Sequence, residues 1–385
     1  MRIGCGLSTV PDPRVAAIEA GQQAHAALEG ARADVACVFA SGAHLAAAEA
    51  TLEGVHEALA PPVLAGCGAG GVVGDGREVE RGTAVAVWAA ALGEGSAEAF
   101  HLDVVRGPDA LAVGGLPELD EATAVVLLPD PYSFPTDVIL GELARRAPGV
   151  PVLGGIASAR TLEGNAALFM GDRLCGDGAV GVAFAGVEVL PCVSQGAAPV
   201  GPELTVTAAE GHVIHELAGR QALDALREAI ESLEPGEQAL VASGLLLGVV
   251  IDGGKPEYEQ GDFLVRGVIG ADPEAGTVTV GAPVQEGTVV RLHARDAVSA
   301  DRDLRAALGV RMEALGGGAP AGALVFTCNG RGQGMFGVPD HDALTLQEEL
   351  GGAPAAGYFA AGEIGPVGGD PFLHGFTATV AVFPP

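Results

Sequence analysis

Residues 62–75 read PVLAGCGAGGVVGD, and their interpretation decides between two folds. Gly66, Gly68 and Gly71 have the G-x-G-x-x-G spacing of a dinucleotide-binding turn, which functions only between a strand and a helix. Here the glycines lead to a turn at Asp75 and then to GTAVAVWAAAL (82–92), an apolar run typical of a strand. We therefore predict that the match is accidental and that no helix follows these glycines.

The same order of patterns occurs three times in the chain. In residues 33–92, a strand pattern (ADVACVFAS), a helical pattern (HLAAAEATLEGVHEALA) and a second strand precede the glycines. Residues 123–186 and 322–383 repeat this order, with VLGGIAS and FAAGEIGP in the place of the glycine-rich turn. Such repetition is hard to obtain by chance. We predict an α/β fold of two related domains, built from repeated strand–helix–strand units with antiparallel strand additions.

The region between the second and third repeats contains the domain boundary. We expect the boundary in GAAPVGPEL (196–204), which gives domains of residues 1–200 and 201–385. Residues 220–233 have helical periodicity, and the apolar run QALVASGLLLGVVI (238–251) is typical of a strand. The length of 385 residues agrees with two domains, because single cores seldom grow so large.

Composition excludes several classes of function. The chain has 49 acidic and 20 basic residues, a net charge of −29, which repels nucleic acid and anionic lipid. No apolar stretch approaches the roughly 20 residues of a transmembrane helix, and no secretory signal is expected. Six dispersed cysteines without a C-x-x-C pair indicate reduced thiols. We expect a cytoplasmic protein that binds neither nucleic acid nor membrane.

The third repeat concentrates polar side chains on glycine-lined turns. Arg331 follows one strand, Glu363 ends the neighbouring strand, and strand ends of such units converge where ligands usually bind. Arginine binds carboxylates and glutamate accepts from ammonium groups, so this pair suits a zwitterion such as an amino acid, or else forms a salt bridge that closes the loop. The predicted ligand-binding residues are Cys328, Asn329, Arg331, Gly332, Gly334, Phe336, Gly362, Glu363 and His374, the last on the final strand.

Three alternatives remain open at this point. Cys328 is a candidate nucleophile with His374 as its base, which would make the protein a cysteine-dependent enzyme. Gly332 to Gly337 also has the G-x-G-x-x-G spacing after a strand and before a helix, which is the context that nucleotide binding requires. A protein–protein scaffold without a ligand is the third. His212 and His215 lack further ligands, so we expect no metal and no cofactor.

The chain resembles the FIST family, in which an N-terminal FIST domain precedes a C-terminal one. The resemblance rests on VLAGCGAGGVV (63–73), LLPDPYSFPTD (127–137) and VLGGIAS (152–158), and most specifically on CNGRGQGMFG (328–337), GYFAAGEIGP (357–366) and LHGFTATVAVF (373–383). The resemblance implies a non-catalytic sensory protein of signal transduction that binds amino acids or their derivatives and acts through a signalling partner. The family supplies no catalytic residues to transfer to this chain.

Overall fold

The computed structural model describes residues 1–107, 111–242 and 244–385. The described residues form a mixed α/β protein with several sheets, as the sequence predicts. Within these residues, no helix is both long enough and apolar enough to cross a membrane.

The elements of the first 195 residues fall into two runs. The first contains β1 (Arg2–Ser8), α1 (Pro13–Ala27), β2 (Val35–Ser41), a 3₁₀ helix (Gly42–Ala47), α2 (Ala48–Leu59), β3 (Val63–Ala69), β4 (Val72–Gly74), β5 (Arg77–Val79) and β6 (Ala84–Ala91). The second contains β7 (Ser96–Arg106), β8 (Leu111–Gly114), β9 (Ala122–Pro129), α3 (Thr136–Arg146), β10 (Val152–Gly155), β11 (Leu168–Met170), β12 (Arg173–Cys175), β13 (Ala179–Ala185) and β14 (Leu190–Gln195).

The remaining elements also fall into two runs. A middle run contains β15 (Ala197–Glu210), β16 (Val213–Leu217), β17 (Arg220–Gln221), α4 (Ala222–Glu231), α5 (Pro235–Ala242), β18 (Leu246–Val250), a 3₁₀ helix (Gln260–Asp262), β19 (Phe263–Asp272), β20 (Thr277–Val280), β21 (Val289–Arg295) and α6 (Ala297–Ala314). The last contains β22 (Gly322–Cys328), α7 (Gln333–Phe336), α8 (His341–Glu349), β23 (Ala355–Ala360), β24 (Glu363–Val367), β25 (Asp370–His374) and β26 (Thr377–Phe383).

The three segments that the sequence singles out share one pairing pattern. In each, a helical connection joins two parallel strands, β2 to β3, β9 to β10 and β22 to β23. A later strand of the same segment then pairs antiparallel with the first one, β6 with β2, β13 with β9 and β26 with β22. Whether the segments superpose as copies of one unit stays a prediction.

The sheets exchange short strands in a cyclic order. The β4–β5 hairpin of the first segment pairs with β23 of the third. Strands β11 and β12 of the second segment extend the sheet of the first through β3, and β24 of the third pairs with β10 of the second. The turn between β4 and β5 is Asp75-Gly76, with positive φ at both residues as a tight hairpin requires. Each of these sheets is therefore completed by a strand from another segment.

The glycines of residues 66–71 belong to a strand and a turn. Strand β3 runs from Val63 to Ala69 and the next element is strand β4, so no helix begins here and the rejection of a dinucleotide turn is confirmed. Gly66 is required by packing, because a Cβ atom at this position would lie 1.9 Å from the carbonyl oxygen of Val38 on the paired strand β2.

The described residues form two compact units. The first comprises Met1–Val193, Leu304–Leu373 and Thr377–Pro385, and the second comprises Ser194–Asp303 and His374–Phe376. The core of the first unit includes aromatic contacts between distant segments, Phe39 with Tyr358 at 4.9 Å and Trp88 with Phe383 at 5.1 Å between ring centroids. In the second unit, α4 packs on a sheet with the strand order β15-β21-β18-β19-β20-β16-β17. The predicted boundary at 200/201 stays a prediction.

Candidate functional site

The loops after β3, β10 and β22 meet near the end of β23 in the first unit. After β3, the amide of Gly70 donates to the hydroxyl of Ser158 at 2.8 Å, and Ser158 in turn donates to the carbonyl of Phe359. After β22, the amide of Asn329 donates to the carbonyl of Ala360 at 2.9 Å. These bonds bring the glycine turn of the first segment and the GGIAS loop of the second next to the CNGR loop of the third.

Arg331 is buried and its guanidinium is held by Asp342. Nε and Nη2 of Arg331 donate to the two carboxylate oxygens of Asp342 at 2.7 and 2.8 Å, and both side chains are 1% exposed. Burial alone would raise the pKa of Asp342, but the charge and hydrogen bonds of Arg331 hold it well below its usual range. The planar fork of Arg331 therefore binds a protein carboxylate, and the salt bridge with Glu363 that the sequence left open is replaced by one with Asp342.

Glu363 is fully buried at the first position of β24. Its Oε2 accepts from the amide of Thr377 at 3.0 Å and from the hydroxyl of Thr377 at 2.7 Å. Burial raises the pKa of Glu363 to about 8, although the bonds from Thr377, the neighbouring Cys328 thiol and the charge of Arg331 partly offset this. Glu363 is therefore mostly protonated at neutral pH.

Cys328, Arg331 and Glu363 together make up what we call the strand-end cluster. Cys328 is half-buried at the end of β22, whereas Arg331 and Glu363 are 2% and 0% exposed. Among the described residues, neither Nη1 of Arg331 nor Oε1 of Glu363 finds a hydrogen-bond partner. An unsatisfied buried polar atom costs free energy, so each of these two atoms is open to a further hydrogen bond.

The loop after the cluster carries three more of the predicted ligand-binding residues. Gly332 is the N-cap of the four-residue helix α7, with φ +88°, and Gly334 is exposed within that helix. The ring of Phe336 stacks on His341 at 3.5 Å between centroids, and the guanidinium carbon of Arg331 lies 5.1 Å from the same ring. The ring of Phe336 therefore packs against the guanidinium of Arg331.

The first turn of α7 already holds a carboxylate. Glu80 accepts from the amide of Gln333 at 2.7 Å, and a Cβ atom at Gly332 would lie 2.6 Å from the carboxylate carbon of Glu80. In a phosphate-binding turn, the phosphate of the ligand occupies the place that the Glu80 carboxylate takes here. An acidic side chain here repels phosphate, so the geometry disfavours nucleotide binding through Gly332–Gly337.

Two of the predicted residues occupy different strand positions from those that the sequence suggests. Glu363 does not end a strand: β23 stops at Ala360, and Glu363 starts β24, because the chain leaves the sheet of β23 to pair with Gly155 of β10. His374 ends β25 and does not lie on the final strand. His374 is assigned to the second unit, and its part in ligand binding stays a prediction.

Sequence reasoning missed the residues that support the cluster. Asp342 lies in the first turn of α8, and Glu78 of β5 accepts from the amide of the next residue, Ala343, at 3.0 Å. Burial, with the charge of Asp342 as a further cause, raises the pKa of Glu78 to about 7. Acidic residues at a helix start are ordinary capping residues, so no sequence signal indicates that Asp342 binds Arg331.

Comparisons with known proteins show the family to which the chain belongs. The described architecture is that of a mixed α/β protein whose polar candidate site lies at converging strand ends. A family model described as the FIST N domain matches residues 34–220, and one described as the FIST C domain matches residues 222–366. The chain belongs to the FIST family. FIST domains are associated with sensory small-ligand binding in signal transduction.

Mycobacterial proteins are similar to this chain along its full length. An uncharacterized protein of Mycobacterium tuberculosis strain H37Rv is 46% identical over 385 residues, which covers 100% of both chains. An uncharacterized protein of Mycobacterium bovis is 45% identical over 385 residues, which covers 100% of this chain and 99% of the relative.

Proposed function

We propose that this chain is a non-catalytic sensory protein that binds an amino acid or a similar small polar metabolite at the strand-end cluster. The observation that carries the proposal is the pair of buried, unpartnered atoms, Nη1 of Arg331 and Oε1 of Glu363. One is a fixed cationic donor and the other is an acceptor that gains a negative charge above its pKa. A zwitterion supplies a partner for each.

The chemistry of recognition follows from what Asp342 leaves available. Because Nε and Nη2 of Arg331 are bonded to Asp342, the guanidinium offers the ligand Nη1 alone and not a bidentate pair of nitrogens. That group donates to a ligand carboxylate, and Glu363 accepts from the ligand ammonium. Next in the chain before Arg331 are the half-buried Cys328 and the exposed Asn329, which lie at the end of β22.

The site and the family suggest where the protein acts. No disulfide joins any of the six cysteines, all of which are described residues, and this supports a cytoplasmic location. We also propose that ligand occupancy is read by a separate signalling protein, as the association of FIST domains with signal transduction suggests.

A thermal-shift screen with the twenty L-amino acids, ATP and NAD tests this function. We expect at least one amino acid to raise the melting temperature and the nucleotides to have no effect. Glu363→Gln keeps the size and the acceptor for Thr377 but cannot become an anion. The loss of one charge-assisted hydrogen bond, worth roughly 1.5–3 kcal/mol, weakens binding about 10- to 100-fold.

Asp130→Asn is the matched control for this substitution. Asp130 is 1% exposed just after β9 and is paired with Arg160, but both of its oxygens are hydrogen-bonded. We expect Asp130→Asn to lower stability without changing amino-acid affinity. Equal affinity in the parent and in Glu363→Gln would exclude the cluster as the site, and a nucleotide-only response would favour the nucleotide alternative.

The enzyme alternative has one supporting observation. The Cys328 thiol lies close enough to Glu363 to affect the pKa of that carboxyl group, so Glu363 is a candidate base beside the thiol, in addition to the expected His374. Turnover of a bound amino acid that is abolished by Cys328→Ser but not by Asp130→Asn would establish catalysis. Binding without turnover supports the sensory function.

A further inference from the structure

The surface beside the strand-end cluster carries residues from all three segments. Within the cluster, Arg331 and Glu363 are buried and Cys328 is half-buried. The exposed rim of the cluster comprises Gly70 after β3, Asn329 after β22 and Ala361 after β23, and the half-buried Ser158 accepts from the amide of Gly70.

Gly70 leaves space at this rim. Its backbone is not in the left-handed region that favours glycine. A Cβ atom added to Gly70 would lie 3.6 Å from Oδ1 of Asn329 and 3.7 Å from Oγ of Ser158, which is ordinary van der Waals contact. Neither conformation nor packing therefore requires a glycine, and the missing side chain leaves room for a methyl group next to Asn329 and Ser158.

We propose that Gly70 is the entrance of the ligand site and sets the size of the ligand tail that the site admits. This inference rests on the proposed function, in which the charged head group of the ligand occupies the buried Arg331 and Glu363. The tail then leaves past Gly70, between an amide and a hydroxyl, so it is a polar side chain such as that of glutamine or arginine. The ligand consequently contacts residues of both the N-terminal and the C-terminal FIST regions.

Alkylation of Cys328 tests the entrance without any knowledge of the ligand. The parent for this test carries Cys5→Ser, because Cys5 and Cys328 are half-exposed whereas Cys37, Cys67, Cys175 and Cys192 are buried. Iodoacetamide serves as the small probe and a maleimide with a bulky fluorophore as the large one. We expect Gly70→Val to slow the large probe about tenfold and to leave the rate with iodoacetamide within about threefold.

Gly141→Val is the matched control. Gly141 is exposed on α3 and has no positive φ, and a Cβ atom added to it would have no neighbouring atom within 4 Å, so the same bulk is introduced away from the cluster. We expect parental rates with both probes. Equal rates for the large probe in Gly70→Val and in the parent would overturn the proposal, as would failure of both probes to modify Cys328 in the parent.

Titration with free glycine, L-glutamine and L-arginine then tests the specificity. In Gly70→Val we expect affinity for the two long amino acids to fall about tenfold while affinity for glycine stays within about twofold. Equal losses for all three would overturn the role of Gly70 in specificity and leave the binding function standing. If none of these amino acids binds the parent, the proposed ligand class fails, and the alkylation rates still decide whether Gly70 is the entrance.

Discussion

Arg331 donates two parallel hydrogen bonds to Asp342, at 2.7 and 2.8 Å, inside a region where both side chains are 1% exposed. The bond fixes the orientation of the guanidinium, so that Nη1 is the part of Arg331 that remains unpartnered among the described residues. Asp342 is thereby a positioning residue for the candidate site, and the same pair contributes to the stability of the fold.

Loss of Asp342 should destabilise the protein strongly. Asp342→Asn leaves the Arg331 charge buried without its counter-ion, and breaking one side of a buried pair typically costs about 3–5 kcal/mol in the free energy of unfolding. Urea denaturation measures this change. Glu142→Gln is the control, because Glu142 pairs with Arg145 and Arg146 on an exposed helix surface, where such pairs contribute about 1 kcal/mol or less. A loss below about 1 kcal/mol in Asp342→Asn would contradict the structural role.

The pH dependence of stability should change when Glu363 is replaced. The unfolded carboxyl group ionises near its ordinary value of 4.5, whereas the buried one keeps its proton up to about pH 8. Between these values the folded state binds more protons, so the free energy of unfolding falls as pH rises, by at most about 1.4 kcal/mol per pH unit. Glu363→Gln cannot ionise and does not lose stability in this way. The free energy of unfolding of the variant, relative to that of the parent, should therefore rise from about pH 4.5 to about pH 8.

Glu78→Gln provides a comparison for that experiment. The pKa of Glu78 is raised to about 7, so the gain of this variant over the parent should level off about one pH unit earlier. Stability differences for Glu363→Gln that do not vary with pH would show that its carboxyl group is not held neutral in the folded protein.

Nucleotides should not bind at the α7 turn. Glu80 occupies the first turn of α7 through the amide of Gln333, and a phosphate there would meet a carboxylate. We expect no shift of the melting temperature with ATP or NAD, and a lower melting temperature for Gly332→Ala, because φ is +88° and the added methyl would clash with Glu80. A nucleotide-induced shift that Gly332→Ala abolishes would restore the nucleotide alternative.

The exchanged strands should make the two FIST regions interdependent. Residues 1–220 alone lack β23, which pairs with the β4–β5 hairpin, and β24, which pairs with β10. Strand β10 is therefore an unpaired edge strand in this fragment. Unpaired edges and the apolar core that they expose favour aggregation. We expect this fragment to unfold without a cooperative calorimetric transition, and co-expression with residues 221–385 to restore the transition. Cooperative unfolding of the isolated fragment would contradict the interdependence.

The sequence predicted the strands better than their partners. Buried apolar runs such as those of β2 and β22 are visible as patterns, and glycines 66–71 were correctly separated from a nucleotide turn. The apolar run 238–251 was predicted as one strand, but α5 extends to Ala242 and β18 begins at Leu246, while residue 243 lies outside the described residues. Pro235 at the first position of α5, with the helix formers Glu237, Gln238, Ala239 and Leu240 after Gly236, was the missed helical signal.

The candidate site could be predicted only in part. Arg331 and Glu363 were expected at neighbouring turns, and the structure has them at one cluster. Asp342 is 11 residues from Arg331, and Ser158 and Gly70 come from other segments, so local patterns could not bring these residues together. The contacts of Gly70 and Ser158 join different segments whose sheets exchange strands, which has no short-range sequence signal.

Proton release on ligand binding is the most direct test of the central claim, that Arg331 and Glu363 hold a zwitterion. Calorimetric titration at pH 7 with the amino acid found in the screen, in two buffers of different ionisation enthalpy, counts the protons exchanged. Because the pKa of Glu363 is about 8, pairing it with an ammonium should release about 0.9 proton per ligand, and Glu363→Gln should release none and bind more weakly. Binding without proton release, or with equal release and affinity in Glu363→Gln, would contradict the account.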